Sequence, residues 1–118
     1  MPIQTQNPAT GEIIKTFPDH TDSEVDLAIA QSVIAFRELR DWSFERRATS
    51  MNRAADILEN EAKGLARIMT LEMGKTFKSA VAEVEKCAWV CRFYAEKAEG
   101  FLADDVVQTD ATKSYRCY

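Results

Sequence analysis

Long apolar runs are missing from this 118-residue chain. Nowhere do 18 apolar residues stand together, so no membrane-spanning helix is expected. Glycine is sparse too. Gly11, Gly64, Gly74 and Gly100 lie far apart, with no G-x-G-x-x-G or G-x-x-x-x-G-K arrangement. Phosphate-cradling loops are therefore absent, and a self-contained dinucleotide site is not expected. Histidine occurs once, as His20, and Cys87, Cys91 and Cys117 offer no Cys-x-x-Cys spacing, which argues against a metal finger. Met1-Pro2-Ile3-Gln4 has neither a basic start nor an apolar run, so it does not read as a signal peptide. With an odd number of cysteines, that argues against a disulfide scaffold and for a cytoplasmic location. Lys and Arg are scattered, Arg46-Arg47 being a small local pair, and the net charge is -4. A nucleic-acid surface needs a denser basic stripe.

What is present is helical material behind a short β segment. Apolar residues at 46% and charged residues at 29% fit a globular piece of one domain at most. Asn7-Pro8-Ala9-Thr10-Gly11 forms a turn, with Gly11 free to be left-handed. Glu12 to Phe17 follows as a strand, pairing with Ile3 to Gln6 in a hairpin that needs a helix to cover its apolar face. Thr21 and Glu24 make a capping box for a first helix, which ends near Arg40. Val25, Ala28, Ile29, Ser32, Val33, Phe36 and Leu39 form its expected core face.

Ser43 caps a second helix, with Arg47, Met51, Ala54, Ala55, Leu58 and Ala62 on one face and Ile57 widening it. Either Asn60 caps a new segment or Gly64 marks a bend. The third pattern uses Leu65, Ile68, Met69, Leu71 and Glu72 and stops at Gly74, a C-terminal cap. Thr76 opens the longest helix, closed by Gly100, with Ala80, Val81, Val84, Ala88, Cys91 and Ala95 facing the core. Val106 to Thr109 reads as a strand, Asp110 to Lys113 as a turn, and Ser114 to Tyr118 as a further strand.

Candidate chemistry is weak throughout. Cys87 and Cys91 share a helix face one turn apart, where a redox or metal pair lacks further ligands; small buried apolar groups are the expectation. His20 has no nucleophile beside it and reads as a solvated residue before a helix. Glu72 with Glu83 or Glu85 resembles a carboxylate pair, yet Lys75, Lys78 and Lys86 supply salt-bridge partners. Arg46-Arg47 reads as a helix start or packing contact rather than a phosphate clamp. Trp89, Phe93, Tyr94 and Phe101 form an aromatic region suited to core or interface packing more than to ligand stacking.

Five stretches, taken in order, carry a resemblance: NPATGEIIKTFP at 7–18, MNRAADILE at 51–59, LARIMTLEMGKTFKSAVAEVEK at 65–86, CRFYAEKAEGFLA at 91–103 and YRCY at 115–118. Together they resemble the N-terminal part of the aldehyde dehydrogenase superfamily, above all bacterial succinate-semialdehyde dehydrogenases. The resemblance implies an α/β family fold of which this chain supplies only the N-terminal hairpin, the helical front and the start of the oligomerisation arm, and is itself mostly α-helical. Residues 1–103 would be the hairpin and helical part of the cofactor-binding domain, and 104–118 the beginning of the arm.

The implied reaction is NAD- or NADP-dependent oxidation of an aldehyde. A cysteine attacks the aldehyde, hydride leaves to nicotinamide, and a glutamate activates the water that releases the acyl enzyme. Family members carry that cysteine, that glutamate and the cofactor contacts beyond residue 118. No catalytic, cofactor-binding or metal residue is therefore assigned here, Cys117 is not the nucleophile, and the chain alone is expected to be inactive and to hold no cofactor. Glu72, Gly74 and Lys75 match a structural motif, with Gly74 turning the chain and Lys75 reaching the last helix carbonyls. Glu85 lies near a position tied in some members to an internal cation. The parent would act on a small aldehyde, associate with copies of itself, and bind neither nucleic acid nor membrane. The alternative is a small helical interaction protein that associates with enzyme subunits.

Overall fold

The computed structural model describes residues 3–117. Strand β1 (Ile3–Gln6) pairs antiparallel with β2 (Ile13–Phe17), matching Ile3 with Phe17 and Gln6 with Ile13 across a bulge after Thr5. The turn is built from its own polar groups. Asn7 Oδ1 accepts from Ala9 N at 2.9 Å, and Gly11 N donates to Asn7 O at 2.8 Å. Gly11 sits at φ 75°, as the turn requires.

Helix α1 (Asp22–Leu39) starts at the expected capping box: Thr21 N donates to Glu24 Oε2 at 2.8 Å, and Glu24 N donates to Thr21 Oγ1 at 3.3 Å. The expected core face is not covered. Every residue of α1 is exposed, and among the described residues no helix or strand packs against it. Its apolar stripe is real, but the surface it would meet is not supplied by residues 3–117.

Helices α2 (Phe44–Asn60), α3 (Ala62–Met73) and α4 (Phe77–Phe101) form the packed body, with α4 against both α2 and α3. Ser43 and Thr76 cap α2 and α4 as expected. The break between α2 and α3 falls at Glu61, and Gly64 lies inside α3. The core consists of Ala55, Ala66, Ala80, Val84 and Ala88, with no large side chain fully buried. Small residues let the helix backbones approach closely, and the larger Met51, Leu58, Leu65 and Met69 are half-buried around them. Ile68, assigned to the core face, is instead 53% exposed, and Ala66 takes the central place.

Gly100 does not close α4. The helix continues through Phe101, and Leu102 N closes the last turn on Ala98 O at 3.1 Å. A glycine inside a helix costs only about 1 kcal/mol, too little to stop a helix of this length. The tail strands are shorter than expected: β3 (Asp105–Val106) pairs with β4 (Tyr115–Arg116) around a bend at Asp110–Thr112. Tyr118, the end of the expected last strand, lies outside the described residues.

The capping box gives α1 a pH dependence. Hydrogen bonds from the Thr21 backbone N–H, then from its hydroxyl, hold the Glu24 carboxyl below its ordinary range. A depressed folded-state pKa stabilises the folded form above the unfolded-state value, and that contribution is lost as pH falls through the folded value. Corrected for the intrinsic rate, which itself slows in acid, amide exchange in the first turn of α1 is expected to quicken on acidification below the ordinary carboxylate range. Thr21→Ala should quicken it at neutral pH, costing about 1 kcal/mol of helix stability, and flatten its pH dependence.

Candidate functional site

Three local constellations could carry function. The first joins the two stretches that stood out in the sequence. Gly74 ends α3 at φ 69°, with its N–H donating to Thr70 O at 3.1 Å, and an added Cβ would meet Pro8 Cγ at 3.1 Å. The turn of the hairpin therefore rests on the end of α3. Lys75 does not reach the α3 carbonyls; its Nζ pairs with Glu83 of α4. The carboxylate lies nearly two helical turns into α4, within reach of the flexible lysine stem, and a full opposite charge outcompetes a carbonyl dipole. Glu72 and Glu85 are exposed, so no carboxylate dyad forms.

The second constellation is the α1–α2 corner. Arg47 donates to the carbonyl oxygens of Leu39 at 3.0 Å, Arg40 at 2.9 Å and Trp42 at 3.2 Å. These carbonyls lie at and just beyond the end of α1, Leu39 O also accepting from Trp42 N at 3.1 Å, and a guanidinium can satisfy several acceptors at once. Arg46 stacks over the Trp42 ring at 3.7 Å and reaches Glu38 at 3.4 Å. Both arginines are thus committed to packing and capping. Beside them an open apolar cavity of about 380 Å³ lies between α2 and α4, lined by Leu39, Trp42, Phe44, Met51, Tyr94 and Leu102 among others.

The third is a groove of about 730 Å³ along α4 that includes Lys75, Glu83, Lys86, Cys87, Val90 and Cys91. Cys87 is exposed and Cys91 half-buried, so the expectation of two buried thiols is corrected. Residue 87 sits beside the buried Val84–Ala88 seam and borders an open groove that it shares with Leu65, Ile68 and Met69 of α3. Cys117 is exposed beyond β4, and His20 is exposed with Nδ1 3.7 Å from Glu24. Among the described residues no three His, Cys, Asp or Glu side chains converge as a metal site, and no helix is long and apolar enough to cross a membrane.

The aromatic region is a cluster around Phe93, with ring centroids 5.8 Å from Trp89, 5.3 Å from Tyr94 and 6.0 Å from Phe101. Trp89 is 61% exposed, so the cluster is unfinished as a core.

Sequence reasoning passed over Arg92. Its guanidinium on α4 reaches Asp56 at 2.8 Å and Glu59 at 2.6 Å on α2. These hydrogen bonds, first to Glu59 and then to Asp56, raise its pKa above the ordinary arginine value. The acidic pair three residues apart on one face of α2 was the available sign. Arg92→Met is expected to lower the urea midpoint of the helical body. The difference should shrink in 1 M salt, because the groups are partly exposed and screened.

A chain that terminates two long helices with capped turns, clasps a hairpin onto the second turn, and leaves its largest apolar faces open is one part of a larger fold. Residues 1–118 match the aldehyde dehydrogenase family throughout, and the chain belongs to that family. It is 48% identical over 118 residues to a probable succinate-semialdehyde dehydrogenase [NADP(+)] of Synechocystis sp., covering all of this chain and 26% of that protein. It is 51% identical over 121 residues to succinate-semialdehyde dehydrogenase [NADP(+)] 1 of Mycobacterium tuberculosis, again covering all of this chain and 26% of the relative. Among solved structures, succinic semialdehyde dehydrogenase from Streptococcus pyogenes, in complex with NADP+, superposes with a TM-score of 0.89 at 32% identity, over 97% of this chain and 25% of that one. The chain thus spans about a quarter of the length of these relatives. It forms the mostly helical portion of the aldehyde dehydrogenase fold that carries the small N-terminal hairpin.

Proposed function

We propose that this chain is the N-terminal quarter of a cytoplasmic succinate-semialdehyde dehydrogenase that uses NADP or NAD. The observation that supports this reading most is the 48–51% identity, along the whole chain, to relatives named for that activity. The chain's own part in the enzyme is structural. It supplies a capped helical body and a hairpin, and its tail begins an arm through which subunits associate. No residue in it is assigned to the chemistry, so turnover belongs to the complete protein.

The test is to read the gene downstream of codon 118, express the complete reading frame and follow nucleotide reduction at 340 nm. Succinate semialdehyde should be preferred over uncharged aldehydes of similar length, and residues 1–118 alone should give no turnover. A stop directly after codon 118 followed by unrelated sequence, or a complete enzyme that ignores succinate semialdehyde, would overturn the proposal.

A further inference from the structure

Cys87 and Cys91 stand four residues apart in α4. That spacing puts them on one face of the helix, with Cβ atoms about 5–6 Å apart. Both line the same open groove, where Cys87 is exposed and Cys91 half-buried. A disulfide needs Cβ atoms about 3.5–4.5 Å apart, so the helix holds the pair too far apart to close on itself. Two sulfurs are thus kept side by side with no bond between them. Ligand count decides what such a pair can hold. Among the described residues no three His, Cys, Asp or Glu side chains converge, which excludes ions that need three or four protein ligands, zinc among them. Glu83 lies one turn before Cys87 on the same groove, but it is a hard oxygen donor and is paired with Lys75.

We propose that Cys87 and Cys91 form a two-coordinate site for a soft univalent cation, copper(I). Soft thiolates select Cu(I), and an ion that takes two thiolates in line needs no further ligand. Metal–thiolate bonds are about 2.3 Å long. Two of them end to end cover most of the separation between the Cβ atoms, and rotation about χ1 adjusts the rest. On binding, two copper–sulfur bonds form, each thiol releases its proton to solvent, and no electron is transferred. The bis-thiolate complex carries one negative charge, which the Lys86 ammonium lining the same groove offsets. The site is separate from the proposed dehydrogenase activity and does not rest on it.

The test titrates the protein expressed from its complete reading frame, reduced and free of oxygen, with Cu(I) supplied as its bicinchoninate complex. Loss of the absorbance of that complex counts the ions taken up. Wild-type protein should take one ion more than Cys87→Ser or Cys91→Ser. Loss of either thiol should weaken retention at this site by about a hundredfold or more, the advantage of a second tethered ligand. Cys117→Ser should match the wild type. The double variant Trp89→Cys with Cys91→Ser keeps the number of thiols but sets them two residues apart, where they do not face each other, and should not restore uptake. Far-UV circular dichroism checks that each variant keeps its helices, and Cys87→Ser, at an exposed position, decides the result should Cys91→Ser lose them. Equal uptake by wild type and Cys87→Ser would overturn the proposal. Recovery in the double variant would overturn it too, because thiol number and not placement would then hold the ion. Loss of the ion in Cys117→Ser would assign it to a different pair, with the same consequence. No readout uses an aldehyde or turnover, so a failure of the proposed activity remains distinguishable.

Discussion

Ala88→Leu is expected to abolish the cooperative urea transition of the helical body. Ala88 is completely buried, as are Ala55, Ala66 and Ala80, and the largest buried side chain is Val84. The helices therefore meet largely through small side chains, and a leucine at the fully buried residue 88 adds three carbon atoms to that seam. Overpacking of this kind costs about 1–3 kcal/mol. A body whose core is five small residues has little stability to spare. Ala82→Leu is the control, since Ala82 is exposed on the same helix and surface changes fall within about 0.5 kcal/mol. Far-UV circular dichroism against urea reads both. A wild-type midpoint for Ala88→Leu would mean that α4 does not pack as closely as described.

Gly74→Val should release the hairpin from the helical body. Two independent penalties coincide at this position. The backbone at φ 69° costs an L-residue roughly 1–2 kcal/mol, and a β-branched residue fits it worst. The new Cβ also crowds Pro8 Cγ at 3.1 Å. Pro8→Gly in the same chain should relieve the crowding but not the backbone penalty, so the double variant should recover only part of the loss. Amide signals of Ile3–Phe17 report docking, and the urea midpoint reports the cost. Full recovery in the double variant would show that the left-handed turn is not strained. An unchanged hairpin in Gly74→Val would show that the contact is not required.

Much of this fold is legible in the sequence because it is written in local chemistry. Thr21 with Glu24, Ser43, Gly74 and Thr76 act through groups within a few residues, and each stands where its spacing implies. The Ala80–Val84–Ala88 face of α4 follows from helical periodicity alone. Periodicity names a face but not its partner, and this is why the α1 stripe reads as core and is nevertheless open. Cys87 fails for a related reason: its helix face is apolar, but the groove it shares with Leu65, Ile68 and Met69 of α3 is left open. Arg92 was harder to read: the acidic pair on α2 is visible, but nothing local ties it to an arginine 33 and 36 residues away. The family was legible from five short stretches. The chemistry was not, because among the described residues none converges with others into a reacting site.

The clasp between Pro8 and Gly74 also has a bearing on the order of events at the ribosome. In synthesis order the hairpin precedes the helix end on which it rests, Gly74 following Pro8 by more than sixty residues. At cellular elongation rates that interval is on the order of ten seconds or less. Ile3, Ile13 and Ile14 stay exposed even with the hairpin docked, so Gly74 fixes the position of the hairpin and does not cover its apolar face. The docking of this earlier-made hairpin therefore waits on a residue that has not yet been translated.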